Sequence, residues 1–242
     1  MITSNFNILF ANENHTVFAQ QICDEMESSA KERGTGIAKR TPEYISKKML
    51  EGKAVIALTN DGEWAGFCYI EAWGNKNFVA NSGLIVAKPF RKSGLARMIK
   101  QKVFELSRKK YPNAKIFGLT TGLAVMKINS DLGYVPVTYS ELTSDEKFWN
   151  GCKSCVNYDI LTSKNFKNCL CTGMLFDPNA KKTNAESNNN KMKEEHNSKE
   201  NMLSYSRLIK GSVQRLRSAV RHSLNSLFSI SSYKGSKVVS SK

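Results

Sequence analysis

Residues 84–96 read Leu84-Ile85-Val86-Ala87-Lys88-Pro89-Phe90-Arg91-Lys92-Ser93-Gly94-Leu95-Ala96. The apolar run at the start predicts the end of a strand, and Pro89 marks the loop after it. Leu95, Met98, Ile99, Val103, Phe104 and Leu106 then recur at helical spacing, so a helix is expected from about Lys92 to Lys110, with Pro112 stopping it. A helix that opens straight after a strand presents unpaired backbone N–H groups and the positive end of its dipole, which suit a pyrophosphate. Gly94 lets the backbone approach phosphates and the small Ala96 leaves room beside the helix. Arg91 and Lys92 add positive charge. The plainer alternative is a helix start that merely contains glycine and basic residues, and on this short motif alone both stand.

The flanking elements narrow the choice. Upstream, Phe6 to Phe10 reads as a strand and Thr16 to Lys31 as a helix. Thr41-Pro42-Glu43-Tyr44 is a helix start, with Thr as the cap and Pro in the first turn. Lys53–Leu58 and Trp64–Trp73 read as strands joined by the turn Asn60-Asp61-Gly62, and Phe78 to Val86 as another strand. Downstream come a strand at Ile116–Thr120, a helix at Ala124–Leu132 and a strand at Tyr134–Val137. The order β-α-α-β-β-β-α-β-α-β predicts an α/β (α+β) domain: an antiparallel meander leading into a βαβ unit.

Leu84, Val86, Arg91, Gly94 and Ala96 stand at the spacing of motif A of the GNAT superfamily, the Gcn5-related N-acetyltransferases, and residues 5–140 resemble that family in element order. The resemblance implies a GNAT acyl-CoA acyltransferase fold, a mixed central sheet flanked by helices. It also implies an acyl-CoA co-substrate held at Leu84, Ile85, Val86, Arg91, Lys92, Ser93, Gly94, Leu95 and Ala96. The loop amides would take the pyrophosphate, and the backbone near Ile85 and Val86 the pantetheine arm and acyl carbonyl. Lys127-Ile128-Asn129-Ser130-Asp131-Leu132-Gly133-Tyr134 looks like the motif B helix, whose end Leu132, Gly133 and Tyr134 match. The family's frequent tyrosine acid maps to Asn129, which cannot protonate a leaving thiolate. Glu71 is the best-placed carboxylate for a general base, against the plainer view of it as a solvated strand-end charge; Ser82 and Tyr139 are weaker candidates. For the acceptor, the resemblance points to the loop Thr35–Arg40, with Lys39 and Arg40 fit to bind a carboxylate, and to Thr120-Thr121-Gly122.

The stretch from Asn81 to Pro178, with Tyr139-Ser140-Glu141-Leu142-Thr143, Phe148-Trp149-Asn150-Gly151-Cys152 and Asn157-Tyr158-Asp159-Ile160-Leu161, looks like a narrower group: GNAT proteins of Bacteroidetes associated with arginine biosynthesis. That implies acetyl or succinyl transfer from the coenzyme A thioester to the α-amino group of glutamate. A basic core favours a small acidic acceptor over a basic peptide. The alternatives are a protein or peptide N-acetyltransferase, and a non-catalytic acyl-CoA-binding module. No nucleic-acid partner is expected, since the tail offers no stacking platform.

Cys152-x-x-Cys155 and Cys169-x-Cys171 suggest a four-thiolate zinc site. Were Val156–Leu161 and Asn168–Phe176 a hairpin, Cys171 would face Tyr158, roughly 10 Å from Cys155 at strand rise, and one ion could not join both pairs. Buried free thiols and no metal are therefore expected.

Composition sets the outer bounds. The 242 residues are 40% hydrophobic and 10% aromatic, enough for a packed core, and no apolar run approaches the roughly 20 residues of a membrane span. Met1-Ile-Thr-Ser-Asn-Phe has no basic region leading into an apolar one, so a cytoplasmic, reducing location is expected. Of the net charge of +15, residues 178–242 carry 13 Lys/Arg against 4 Asp/Glu. The expected organisation is a domain at 1–177 with a Cys-containing extension from about 140, a flexible linker at 178–201, a basic amphipathic helix at 202–233 and a disordered tail at 234–242. The helix has an apolar stripe that suits a membrane surface or a protein partner. Because every motif precedes the linker, a chain ending at Pro178 should keep its kcat/KM for a small acceptor. A soluble truncation that binds acyl-CoA but transfers nothing would contradict the division.

Overall fold

The computed structural model describes residues 6–34 and 37–180. The chain divides into units at Met1–Asn179 and Ala180–Lys242. Thr35 and Gly36 of the expected acceptor loop, the linker beyond 180, the basic helix at 202–233 and the tail lie outside the described residues.

The described chain runs β1 (Phe6–Phe10), α1 (Ala19–Glu32), α2 (Pro42–Leu50), β2 (Ala54–Thr59), β3 (Trp64–Trp73), β4 (Phe78–Val86), α3 (Leu95–Lys110), β5 (Lys115–Thr120), α4 (Leu123–Asp131), β6 (Val135–Val137), α5 (Glu146–Asn150), α6 (Tyr158–Ser163) and β7 (Thr172–Phe176). Local chemistry places several boundaries. Thr41 Oγ1 accepts the Tyr44 N–H and Pro42 opens α2, as its sequence predicts. The helix expected from Thr16 splits instead into a 3₁₀ turn at Glu13–Phe18 and α1, because Asn12 and His15 cap each other reciprocally and start the turn earlier. Helix α3 starts at Leu95 rather than Lys92, because Lys92 and Gly94 have φ of 65° and 85° and cannot join a right-handed helix.

Among the described residues, seven strands form one mixed sheet in the order β1-β2-β3-β4-β5-β7-β6, as the sequence predicts in class. Among these strands only β4 and β5 run parallel; every other pair is antiparallel. Residues alternate across β3. Phe67 and Tyr69 pack with Ile22 and Met26 of α1 and with Ile45 and Met49 of α2. Cys68 and Ile70 pack on the opposite face with Leu95, Ile99 and Val103 of α3. A third cluster joins Phe117 of β5 and Leu175 of β7 to Tyr139, Trp149 and Leu161 of the extension. No helix among the described residues is long and apolar enough to cross a membrane.

The hairpin considered for the late cysteines does not form. Residues Tyr158–Ser163 are helical, and Asn165 and Phe166 turn the chain out of α6 with φ of 49° and 59°. Strand β7 instead finds β5 on one side and β6 on the other.

Strand β4 carries a bulge. Phe67 pairs with Ile85 and Tyr69 with Ser82, so three steps along β4 match two along β3. Gly83 supplies the extra residue at φ 65°, and a Cβ there would lie 2.7 Å from Tyr69 Cε1 and 2.8 Å from Met26 Cε. Gly83→Ala should therefore destabilise the domain by about 1–3 kcal/mol, from left-handed strain plus overpacking. Thermal unfolding checks this; an unchanged Tm would contradict the bulge geometry.

Candidate active site

Strand β4 pairs with β5 through only three residues, Phe78, Val79 and Ala80. From Asn81 to Val86 its β5-facing edge takes no part in a ladder among the described residues, although β3 stays paired on the other side. A gap therefore opens between two neighbouring parallel strands at the end where β4 turns toward α3. Among the described residues, the backbone N–H groups of Lys92, Ser93, Gly94 and Ala96 donate to no group in the chain, whereas Leu95 N–H reaches Ser93 Oγ at 3.4 Å. Left-handed Lys92 and Gly94 shape this stretch into a concave cradle of amides, with a helix dipole behind it.

Arg91 does not add its charge to that cradle. Its guanidinium turns to α1, bonding Glu25 at 2.6 Å, Glu32 at 3.1 Å and Ser29 Oγ. It clamps the loop to the helix. Lys92, Ser93 and Gly94 are exposed, Ala96 and Leu84 half-buried, and Leu95 and Ile85 are core residues.

The α3 side of the gap is polar. Lys100 is buried, and its ammonium donates to Asn81 Oδ1 at 2.9 Å. Tyr134 OH donates to the same oxygen at 2.9 Å, and Asn81 Nδ2 donates to Ser107 Oγ at 2.9 Å. No carboxylate pairs with Lys100 among the described residues, and burial pushes its pKa down to about 8. Asn129, 1% exposed on α4, leaves its Oδ1 without a hydrogen-bond partner among the described residues. Sequence reasoning missed Lys100 and Asn81. The available signal was position: Lys100, Val103 and Ser107 fall at helical spacing on the buried side of α3.

On the opposite face, Glu71 near the end of β3 accepts Tyr44 OH on one carboxylate oxygen and pairs with Lys48 Nζ at 2.5 Å on the other. It is therefore engaged rather than standing as a solvated charge. Burial, then neighbouring Tyr69 and Glu71, hold the Tyr44 phenol well above its ordinary pKa, so it acts as a hydrogen-bond donor. Arg40 Nε donates to Tyr69 OH at 2.7 Å, and its guanidinium lies 5.2 Å from the Tyr44 ring centroid. Since the Tyr69 ring packs on Gly83, Arg40 is tied to the β4 bulge. Lys39 diverges: its ammonium lies 3.5 Å from Glu27, and its N–H donates to Ser154 Oγ. Thr120 Oγ1 accepts the Gly122 N–H at 3.0 Å, while Thr121 is exposed. Ser82 offers its carbonyl to the Cys68 thiol, and Tyr139 OH donates to Cys171 O at 2.8 Å.

The chain is similar to solved acetyltransferase structures. N-acetylglutamate synthase from Neisseria gonorrhoeae, complexed with coenzyme A and N-acetyl-glutamate, matches 72% of this chain at 14% identity and a TM-score of 0.52; the match covers 35% of the synthase chain. A GNAT-family acetyltransferase from Staphylococcus aureus matches 72% of this chain and 99% of its own, at 15% identity and a TM-score of 0.52. A Mycobacterium tuberculosis protein in complex with CoA matches 71% and 98%, at 14% identity and a TM-score of 0.52. The fold is that of the GNAT acyltransferases. No protein-family model and no curated protein matches the chain.

Lys100 makes stability depend on pH. Its folded pKa lies below that of the unfolded chain, so between about pH 8 and 10.5 the unfolded state binds more protons. Stability should rise with pH across that window, and the penalty is complete below it. Denaturant titrations should show Lys100→Met more stable than the parent at pH 7, with the advantage shrinking by pH 10. A pH-independent difference would contradict a buried, unpaired ammonium.

Proposed function

We propose that this protein is an acyl-CoA-dependent N-acyltransferase acting on a small amine, with the α-amino group of glutamate as acceptor and acetyl or succinyl as the transferred group. The observation that carries the reading is the cradle of undonated amides at the mouth of the β4–β5 gap. A pyrophosphate there would accept from the N–H groups of Lys92, Ser93, Gly94 and Ala96. The pantetheine arm would then run along the open edge of β4, taking the hydrogen bonds that β5 does not.

In the reaction, the free amine of the acceptor attacks the thioester carbonyl. The C–N bond forms, the C–S bond breaks and coenzyme A leaves as thiolate. Glu71 is held by Tyr44 and Lys48, so the ammonium proton leaves to water in this reading, with Glu71 orienting the pair rather than collecting the proton. Asn129 supplies no proton to the thiolate, which solvent then protonates. Arg40 has guanidinium N–H groups beyond those bonding Tyr69 and the Lys39 carbonyl, and these suit the acceptor's carboxylate. The N-acetyl-glutamate bound by the Neisseria synthase agrees with an acidic amino acid. A place in arginine biosynthesis and a cytoplasmic location belong to the same proposal. The engaged Glu71 favours one second reading, a module that binds acyl-CoA without transferring it.

The test is an acyl-transfer screen with the full chain, acetyl- and succinyl-CoA, and a panel of amino acids and peptides. Product with glutamate supports the proposal; acyl-CoA binding with no product from any acceptor supports the second reading. A Cβ at Gly94 would meet nothing within 4 Å, so Gly94→Asp should place negative charge in the cradle at a cost of about 1–2 kcal/mol of left-handed strain, which leaves the domain folded. Coenzyme A affinity should fall at least roughly tenfold by calorimetry. Unchanged affinity would remove the cradle from the site.

A further inference from the structure

The extension after β6 holds a second pocket, remote in chemistry from the amide cradle. Cys152, Cys155, Cys169 and Cys171 all line it, with Trp149 and Tyr158 among the apolar walls. A hairpin would have held the two thiol pairs apart, and the helical path of Tyr158–Ser163 removes that separation.

Each pair faces one way for a local reason. Cys152 lies in the 3₁₀ turn Gly151–Ser154, and Cys155 N–H donates to Cys152 O at 2.9 Å. In such a turn residues three apart eclipse, so both thiols leave on the same side. Cys169 and Cys171 flank Leu170, which is 61% exposed while both cysteines are half-buried, and the chain bends at Leu170 and Cys171, turning both toward the pocket. The pairs also meet at one residue: Asn157 N–H donates to Cys155 Sγ at 3.5 Å, and the Cys169 thiol donates to Asn157 O at 3.8 Å. A backbone N–H aimed at sulfur stabilises a thiolate, as the donors that surround metal ligands do.

We propose that Cys152, Cys155, Cys169 and Cys171 form a tetrathiolate zinc site that fixes the extension to the sheet. Among the described residues no His, Asp or Glu lines the pocket, so the donor set there is sulfur, which favours zinc over hard cations. No three ligating side chains among the described residues stand so that they could hold an ion as they are, so the proposal requires the thiols to move toward one another when zinc binds. The later part of the segment needs such a fastener: Tyr139 and Trp149 join its first half to the core of β5 and β7, but of residues 151–171 only Leu161 is buried. The site would also support the acceptor side. The Cys152–Cys155 turn bonds the Lys39 N–H through Ser154 Oγ, and Cys171 leads into Thr172, which pairs with Thr120.

The experiment uses the full chain, purified without chelator. Elemental analysis should give one zinc per chain, and Cys155→Ser and Cys171→Ser should each lower that content, while Cys23→Ser should not. If the serine variants fail to fold, cobalt exchange into the parent decides: tetrahedral thiolate absorption bands are expected, and chelator should expose four further thiols to a thiol reagent. Metal-free protein with all four thiols reactive, a disulfide between any two of them, or an iron–sulfur chromophore would each overturn the proposal. None of these outcomes depends on whether the chain transfers an acyl group.

Discussion

Strand β4 keeps β5 as a partner for three residues and then loses it, while β3 continues beside it. Backbone N–H and C=O groups near a protein interior must find partners, so a half-paired strand inside a sheet is not left without reason. The Gly83 bulge lies in the separated part of β4, and Tyr69 from the neighbouring strand packs on it. At the end of the separation, two left-handed residues delay the start of α3 and turn its first amides outward. The gap, the bulge and the amide cradle thus follow from one departure in strand pairing.

The rest of the domain holds that departure open. Arg91 ties the loop to α1 through Glu25 and Glu32, and Arg40 ties the 39–40 loop to the bulge through Tyr69. Below the gap, Asn81 gathers Lys100, Tyr134 and Ser107 into a buried polar group. A lysine buried there without a carboxylate is destabilising, and an apolar side chain would pack at less cost. The polar group nevertheless occupies the first residue at which β4 and β5 part. In the proposed reaction it would set the position of β4 beside the thioester.

The sequence announces what local chemistry decides. Thr41-Pro42 marks α2, the apolar run Trp64–Trp73 after the Asn60-Asp61-Gly62 turn marks a strand, and Leu84–Ala96 announces a strand, loop and helix in the right order. What it hides depends on residues far apart in the chain. Lys100 reads as solvated by residue type, and only the opposite wall of Asn81 and Tyr134 shows it buried. Glu71 reads as a free carboxylate because Tyr44 and Lys48 reach it from 27 and 23 residues away. Arg91 reads as a phosphate ligand, yet its carboxylate partners lie on α1. Residues 156–171 are too short and mixed to declare helix or strand by period, so the meeting of the four cysteines is not legible there.

The central claim is that the separated edge of β4 and the amides before α3 together receive coenzyme A. Amide hydrogen exchange of the full chain, with and without saturating coenzyme A, tests it most directly. Slower exchange on binding is expected in two segments, 81–86 and 92–96, with β1 unchanged. Binding that protects other segments and leaves these two as they were would contradict the claim, as would the absence of any binding.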